Sequence, residues 1–199
     1  MTTTMNRLPV STWNPLGVNY APASAALPTV PADGWAKAEI LSPALPAGVT
    51  APAEADFTDF AASGMGAETD VWLAENANLV NHLAVSGTAD APVVFENTLD
   101  ADHPHALTCL TIDAAEGSSL TVVQVVRGDA VDGVSANLTR IRAAEGAHVV
   151  LVQVQLLGSR ARRWNAVAIE EATSARVEQV RIELGGAVVA CGTRTLLNH

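Results

Sequence analysis

The stretch DADHPHALTC, Asp100 to Cys109, sets His103 and His105 two residues apart with Asp100, Asp102 and Cys109 beside them. Imidazole, carboxylate and thiolate are ligands for zinc or iron. On a strand, residues i and i+2 point to one face, so His103 and His105 would share an ion there. Pro104 and the turn formers around it read instead as a solvated polar loop that opens a strand. Cys191 follows GGAVVA and precedes GTRT, with Arg194 close by. A neighbouring cation activates a thiol, whereas a small buried apolar side chain in a strand is the plainer reading. Cys109, within LTCLTI, reads as strand filler. His103, His105, Cys109 and Cys191 are therefore the metal-ligand candidates; no catalytic or cofactor-binding residue is assigned.

Other chemistry finds little support. The sequence has no G-x-S-x-G elbow, no phosphate-binding loop and no G-x-G-x-x-G. Asp113, Glu116, Glu145, Glu170 and Glu171 fall at turns, which suits solvation better than paired acid–base work. His82 and His148 stand alone. Arg160, Arg162, Arg163 and Trp164 form the one basic group, readable as a partner interface or as a solvated turn.

The elements that must carry these residues are predicted to be strands. Apolar residues make up 49% of the 199 and aromatics 4%, so the core is built from Ala, Val, Leu and Ile. Beyond Leu107 three segments overlay: LTCLTIDAAEGSSLTVVQVVRG, NLTRIRAAEGAHVVLVQVQLLG and NAVAIEEATSARVEQVRIELGG. Aligned on Ile112, Ile141 and Ile169, they step by 29 and 28 residues; aligned on Gln124, Gln153 and Gln179, by 29 and 26. The length change is placed in the EEATSA turn. Each unit holds two strands, and no unit can bury its apolar face alone; stacking equivalent strands about 4.8 Å apart pairs every backbone group. This predicts a mainly β fold, a parallel β-helix-like solenoid, with Val125, Val154 and Val180 inside and Gln124, Gln153 and Gln179 outside. An antiparallel sandwich of hairpins is the rival.

Residues 1–65 differ. Eight of the ten prolines precede Ala53, which excludes a long helix or a central strand and predicts an extended arm. EADFTDFAASG (Glu54 to Gly64) reads as a short helix, with Phe57 and Phe60 on one face and Gly64 at its end. From about Asp70 the texture is strand-like, and residues 66–199 are assigned to the repeat domain. The formal charge of −10 and the lack of a Lys/Arg run disfavour nucleic acid. Two distant cysteines suit a reducing compartment, and there is no secretory signal and no membrane-spanning apolar run, so a cytoplasmic location is expected.

The opening NRLPVSTWNPLGVN (Asn6 to Asn19), followed by a polar arm and by β-rich repeats ending in ELGG, resembles the SufB/SufD family, and its short SufD-like members most. The resemblance implies a right-handed parallel β-helix in a non-enzymatic scaffold subunit of an iron–sulfur cluster assembly complex (SufBCD type). It implies a SufC-like ATPase and a SufB/SufD-like partner, with any iron–sulfur cluster belonging to the full complex and no cofactor in this chain. The Trp13 arm is expected to pack on the β-helix. The chain stops at TRTLLNH, within a further coil by this reading, so a C-terminally truncated or fragmentary form is expected, self-associating through its open end. No family cysteine or histidine carries over to Cys109 or Cys191. The alternative is a cupin-like metal-dependent enzyme using His103 and His105; the next acids, Asp113 and Glu116, lie too far on for that motif.

Overall fold

The computed structural model describes residues 32–198 apart from residue 37, residues 41–43 and residues 57–58, with backbone alone for 38–40. In chain order the elements are β1 (Ala38–Ile40), β2 (Val49–Thr50), α1 (Ala67–Asn76), β3 (Leu79–Val85), β4 (Val93–Leu99) and β5 (His105–Ala114). They continue as β6 (Ser119–Gly128), β7 (Val134–Ala143), β8 (His148–Leu157), β9 (Arg162–Glu171), β10 (Arg176–Gly185) and β11 (Val188–Leu197). Two sheets stack them, in the orders β1-β4-β6-β8-β10 and β11-β9-β7-β5-β3-β2. All pairs from β3 to β11 are parallel; only β1 and β2 add antiparallel edges. The result is a β-solenoid of about four turns, and the hairpin sandwich is excluded.

Each coil places one strand in each sheet, and the isoleucine alignment holds: Ile112 pairs with Ile141, and Ile141 with Ile169. The doubled AAEG phrase forms the same corner twice. Ser118 N donates to Ala115 O at 3.0 Å and Ala147 N to Ala144 O at 3.0 Å; Ala175 N repeats the turn on Ala172 O at 3.0 Å. Gly117 and Gly146 sit at φ 62° and 65°, a left-handed conformation that glycine adopts without penalty; Ser174 holds the third corner at φ 58°.

Three expectations need correction. The first concerns the ladder. Gln153 pairs with Arg181, not Gln179, and Val154 with Ile182, not Val180. The AAEG-type corner keeps its length; the coil shortens at the opposite corner, where residues 158–161 replace 129–133. The second concerns phase. Gln153 and Gln155 are 1% and 0% exposed, whereas Leu156 is 44% exposed. The second sheet strand of each coil therefore points its glutamines inward and Val125, Val154 and Val180 outward. Alternation defines two faces and not which one is inside. The third concerns the arm. Asp59 to Gly64 are not helical, Phe57 lies outside the described residues, and the helix starts instead at Ala67. Its first turn carries Glu68 and Asp70, favourable at a helix N-terminus. Asp70 also accepts from Ser63 N at 2.6 Å and Ser63 Oγ at 2.5 Å, a tether that the local pattern does not reveal.

Helix α1 and the chain before it cover the outer face of the β5-β7-β9-β11 sheet. Leu73, Leu107, Leu138 and Trp164 are buried together there. Arg142 stacks on Phe60 and donates to Asp56 O at 3.4 Å. Gly64 and Gly192 cross so closely that a Cβ on either would lie 2.5 Å from backbone of the other strand. Within the coils, Leu83, Ile112, Ile141 and Ile169 face Val122, Val149 and Leu151 in one apolar cluster. Each such buried aliphatic contributes about 1.5–3 kcal/mol.

Candidate functional site: a polar lane inside the solenoid

Only one half of each coil has an aliphatic interior. In the other half the inward positions of β7 and β9 are Ser135, Asn137 and Thr139, then Arg163 and Asn165, all buried. Asn137 and Asn165 are ladder partners, as are Gln124 and Gln153. Equivalent polar groups are thus stacked along the axis, where each reaches the next.

The contacts form a continuous lane. Gln124 Oε1 accepts from Thr139 Oγ1 at 3.1 Å and from Gln153 Nε2 at 2.8 Å. Gln153 and Asn165 exchange amide hydrogen bonds at 3.2 Å each way. Asn137 Nδ2 donates to Asn165 Oδ1 at 3.0 Å. Gln179 Nε2 donates to Gln153 Oε1 at 2.9 Å, and Thr193 Oγ1 to Gln179 Oε1 at 2.9 Å. Arg163 is the centre. Its Nη1 donates to Ser135 Oγ at 2.7 Å, its Nη2 to Asn137 Oδ1 at 2.8 Å, and its Nε lies 3.6 Å from Glu183 Oε2. Asn165 Nδ2 and Cys191 Sγ both reach Glu183 Oε1, at 3.3 and 3.4 Å. Toward the first coil, Asn81, Asn97, Gln124, Ser135, Asn137 and Arg163 line a small open cleft.

The electrostatics follow from burial. Removal from water pulls the Arg163 pKa down, and Glu183 opposes this. Burial first, then the Glu183 carboxylate, pushes the Cys191 thiol up to about 11. Cys109 is likewise pushed up to about 11 by burial, but it lies on the outer face, among the residues packed under α1. Both thiols are therefore protonated near neutrality, and Arg194 does not activate Cys191. They also project to opposite sides of their sheet, so they do not converge on one ligand.

The histidine pair separates as well. His103 is exposed on the loop, its Nδ1 3.2 Å from Asp100 Oδ1. His105 begins β5 and meets Trp35 edge-on at 6.3 Å. Burial and Arg162 lower its pKa. Among the described residues no group of three or more His, Cys, Asp or Glu is placed to hold a metal ion. His82 pairs with Thr111 at 2.6 Å and His148 with Glu178 at 2.8 Å. The supposed basic patch disperses: Arg160 is exposed, Arg163 points into the lane, and Trp164 is buried among the residues under α1. Asn137, Asn165 and Glu183 were not singled out from sequence, and Arg163 only as part of the basic group, although the 28-residue step from Asn137 to Asn165 equals that from Ile141 to Ile169.

Such a site can fix register and hold polar groups away from bulk water; its thiols are not activated nucleophiles. A stacked parallel solenoid with a hydrogen-bonded interior belongs to the β-solenoid folds. The chain belongs to the SufB/SufD family: the model for the SUF system FeS cluster assembly, SufBD core domain, matches residues 96–199. That match runs from within β4 through every later coil. No curated protein and no solved structure matches. Membership places the chain in iron–sulfur cluster assembly, in a family of scaffold components of a multi-subunit Suf complex. The cupin alternative gains no support, since its barrel is not this stack of parallel coils. Among the described residues no helix is long and apolar enough to cross a membrane.

Proposed function

We propose that this chain is a non-enzymatic, SufD-like scaffold subunit of a SufBCD-type complex in the cytoplasm. It works with a SufC-like ATPase and a SufB/SufD-like partner subunit. The iron–sulfur cluster is the cargo of that complex, and no cofactor is assigned to this chain. Residues 1–65 act as an arm and the following coils as the assembly frame. One observation carries the reading: the family match falls on the stacked coils, from within β4 through β11.

Deletion of the gene tests this in the producing cell. The expected result is a several-fold fall in the activity of iron–sulfur enzymes with their protein levels unchanged, restored by the wild-type chain. Normal loading of those enzymes without the chain would overturn the proposal.

A further inference from the structure

The cleft at the first-coil end of the polar lane has walls of one electrical character. Its polar lining comes from six strands: Asn81 on β3, Asn97 on β4, Thr108 on β5, Gln124 on β6, Ser135 with its neighbour Asn137 on β7, and Arg163 on β9. No Asp or Glu is among the lining residues, so Arg163 is the only formal charge there, in a protein of formal charge −10. Arg163 is 4% exposed. A guanidinium carries five N–H donors. Nη1 and Nη2 each donate one to β7, to Ser135 Oγ and Asn137 Oδ1, which directs the fork toward the earlier coils. Nε turns the other way, 3.6 Å from Glu183 Oε2, and makes no hydrogen bond among the described residues. A single carboxylate at that distance offsets only part of the cost of burying the cation, and burial still holds the Arg163 pKa down.

The remaining wall can donate as well. Gln124 Oε1 already accepts from Thr139 and Gln153, which leaves its Nε2 for the cleft. Ser135 Oγ accepts from Arg163 and keeps its own proton to give. Asn97 Oδ1 is buried with no partner among the described residues. A buried amide without a partner calls for a polar group in the space it faces, and a half-turn of the amide presents Nδ2 in place of the oxygen. The cleft has room for about two or three non-hydrogen atoms. Nucleotides, phosphate and sulfate are too large for it. Donors gathered around one cation, with no carboxylate among them, match a small monovalent anion and oppose a metal cation.

We propose that the cleft between Arg163 and Asn97 binds one small monovalent anion, of the size of a halide or formate, which completes the neutralisation of Arg163. The proposal rests on the fold and not on the assembly reading. Thermal unfolding of the full-length chain is compared in sodium chloride and in sodium gluconate at equal ionic strength, gluconate being too bulky to enter. Chloride at several times its Kd is expected to raise Tm by roughly 2–4 °C over gluconate. In Asn97→Leu, whose apolar side chain fills the cleft, that difference is expected to vanish. Equal Tm of the wild-type chain in the two salts would overturn the proposal, as would the same chloride effect in a folded Asn97→Leu variant. A crystal soaked in sodium bromide gives a second measurement that needs no variant. The expected result is an anomalous peak in the cleft against the Arg163 Nη atoms, and a map without it would overturn the proposal. A peak there with no chloride effect in solution would mean an adventitious ion only and would overturn it equally.

Discussion

Arg163→Met is the sharpest test of the polar lane. It removes two charge-assisted hydrogen bonds, to Ser135 and Asn137, and the counter-charge 3.6 Å from Glu183. Met fills much of the same volume, so the loss is electrostatic rather than a cavity. Two hydrogen bonds to a charged group contribute about 1.5–3 kcal/mol each, and breaking one side of a buried ion pair costs about 3–5 kcal/mol. These overlap, so about 3–5 kcal/mol is expected in all. In a chain of this size that lowers Tm by roughly 6–20 °C. Urea denaturation followed by far-ultraviolet circular dichroism measures it. Adding Glu183→Gln should restore about 1–2 kcal/mol at pH 8, a coupling read from the double-mutant cycle. A loss below about 1 kcal/mol with no coupling would mean that the guanidinium reaches water, and the interior assignment would fail.

Other outcomes follow from single features. Gly117→Ala meets no atom within 4 Å yet forces φ 62° on a side chain; thermal unfolding should show a loss of about 1 kcal/mol, and Ser174→Gly a gain of similar size. Gly192→Ala drives a Cβ to 2.5 Å from the Gly64 backbone; calorimetry should show about 1–3 kcal/mol lost, with the segment at Gly64 and Met65 displaced from β11. The lowered His105 pKa means that the unfolded state binds its proton more readily. Stability should therefore fall as pH drops below 6.5 toward 5, and His105→Gln should flatten that slope. Thiols pushed up to about 11 by burial hold on the order of 100-fold less thiolate at neutral pH than a free cysteine. Iodoacetamide labelling of Cys109 and Cys191 should be slower by about that factor, and rapid labelling of either in the folded protein would contradict the burial.

The stacked repeat was legible because in-register copies leave a period, and the period survives insertions at corners. Ile112, Ile141 and Ile169 fell on one rung as their spacing predicts. Orientation was not legible. In QVQLL the valine and leucine set was taken as core because apolar side chains usually are, yet Gln153 and Gln155 point inward. Stacked amides satisfy one another there, so the usual penalty for burying them is met inside the protein. Gln179 invited a false alignment because its letter matched Gln153, and its amide does reach Gln153 at 2.9 Å although it sits opposite Leu151. Helix α1 stayed hidden because its anchor is one carboxylate, Asp70, held by Ser63 seven residues earlier, and only Leu73 of its apolar residues is fully buried. Of the candidate site, Cys191 and Arg163 were noticed as residues, but their meeting at Glu183 joins three strands and leaves no local signature.

Native mass spectrometry of the chain, tagged at its chromosomal locus and purified from its own cell at endogenous level, tests the scaffold account most directly. The account predicts a discrete complex of fixed stoichiometry in which this chain is bound to an ABC-type ATPase and to a second solenoid subunit. A chain recovered alone, while the ATPase and solenoid subunits of that cell assemble fully without it, would contradict the account.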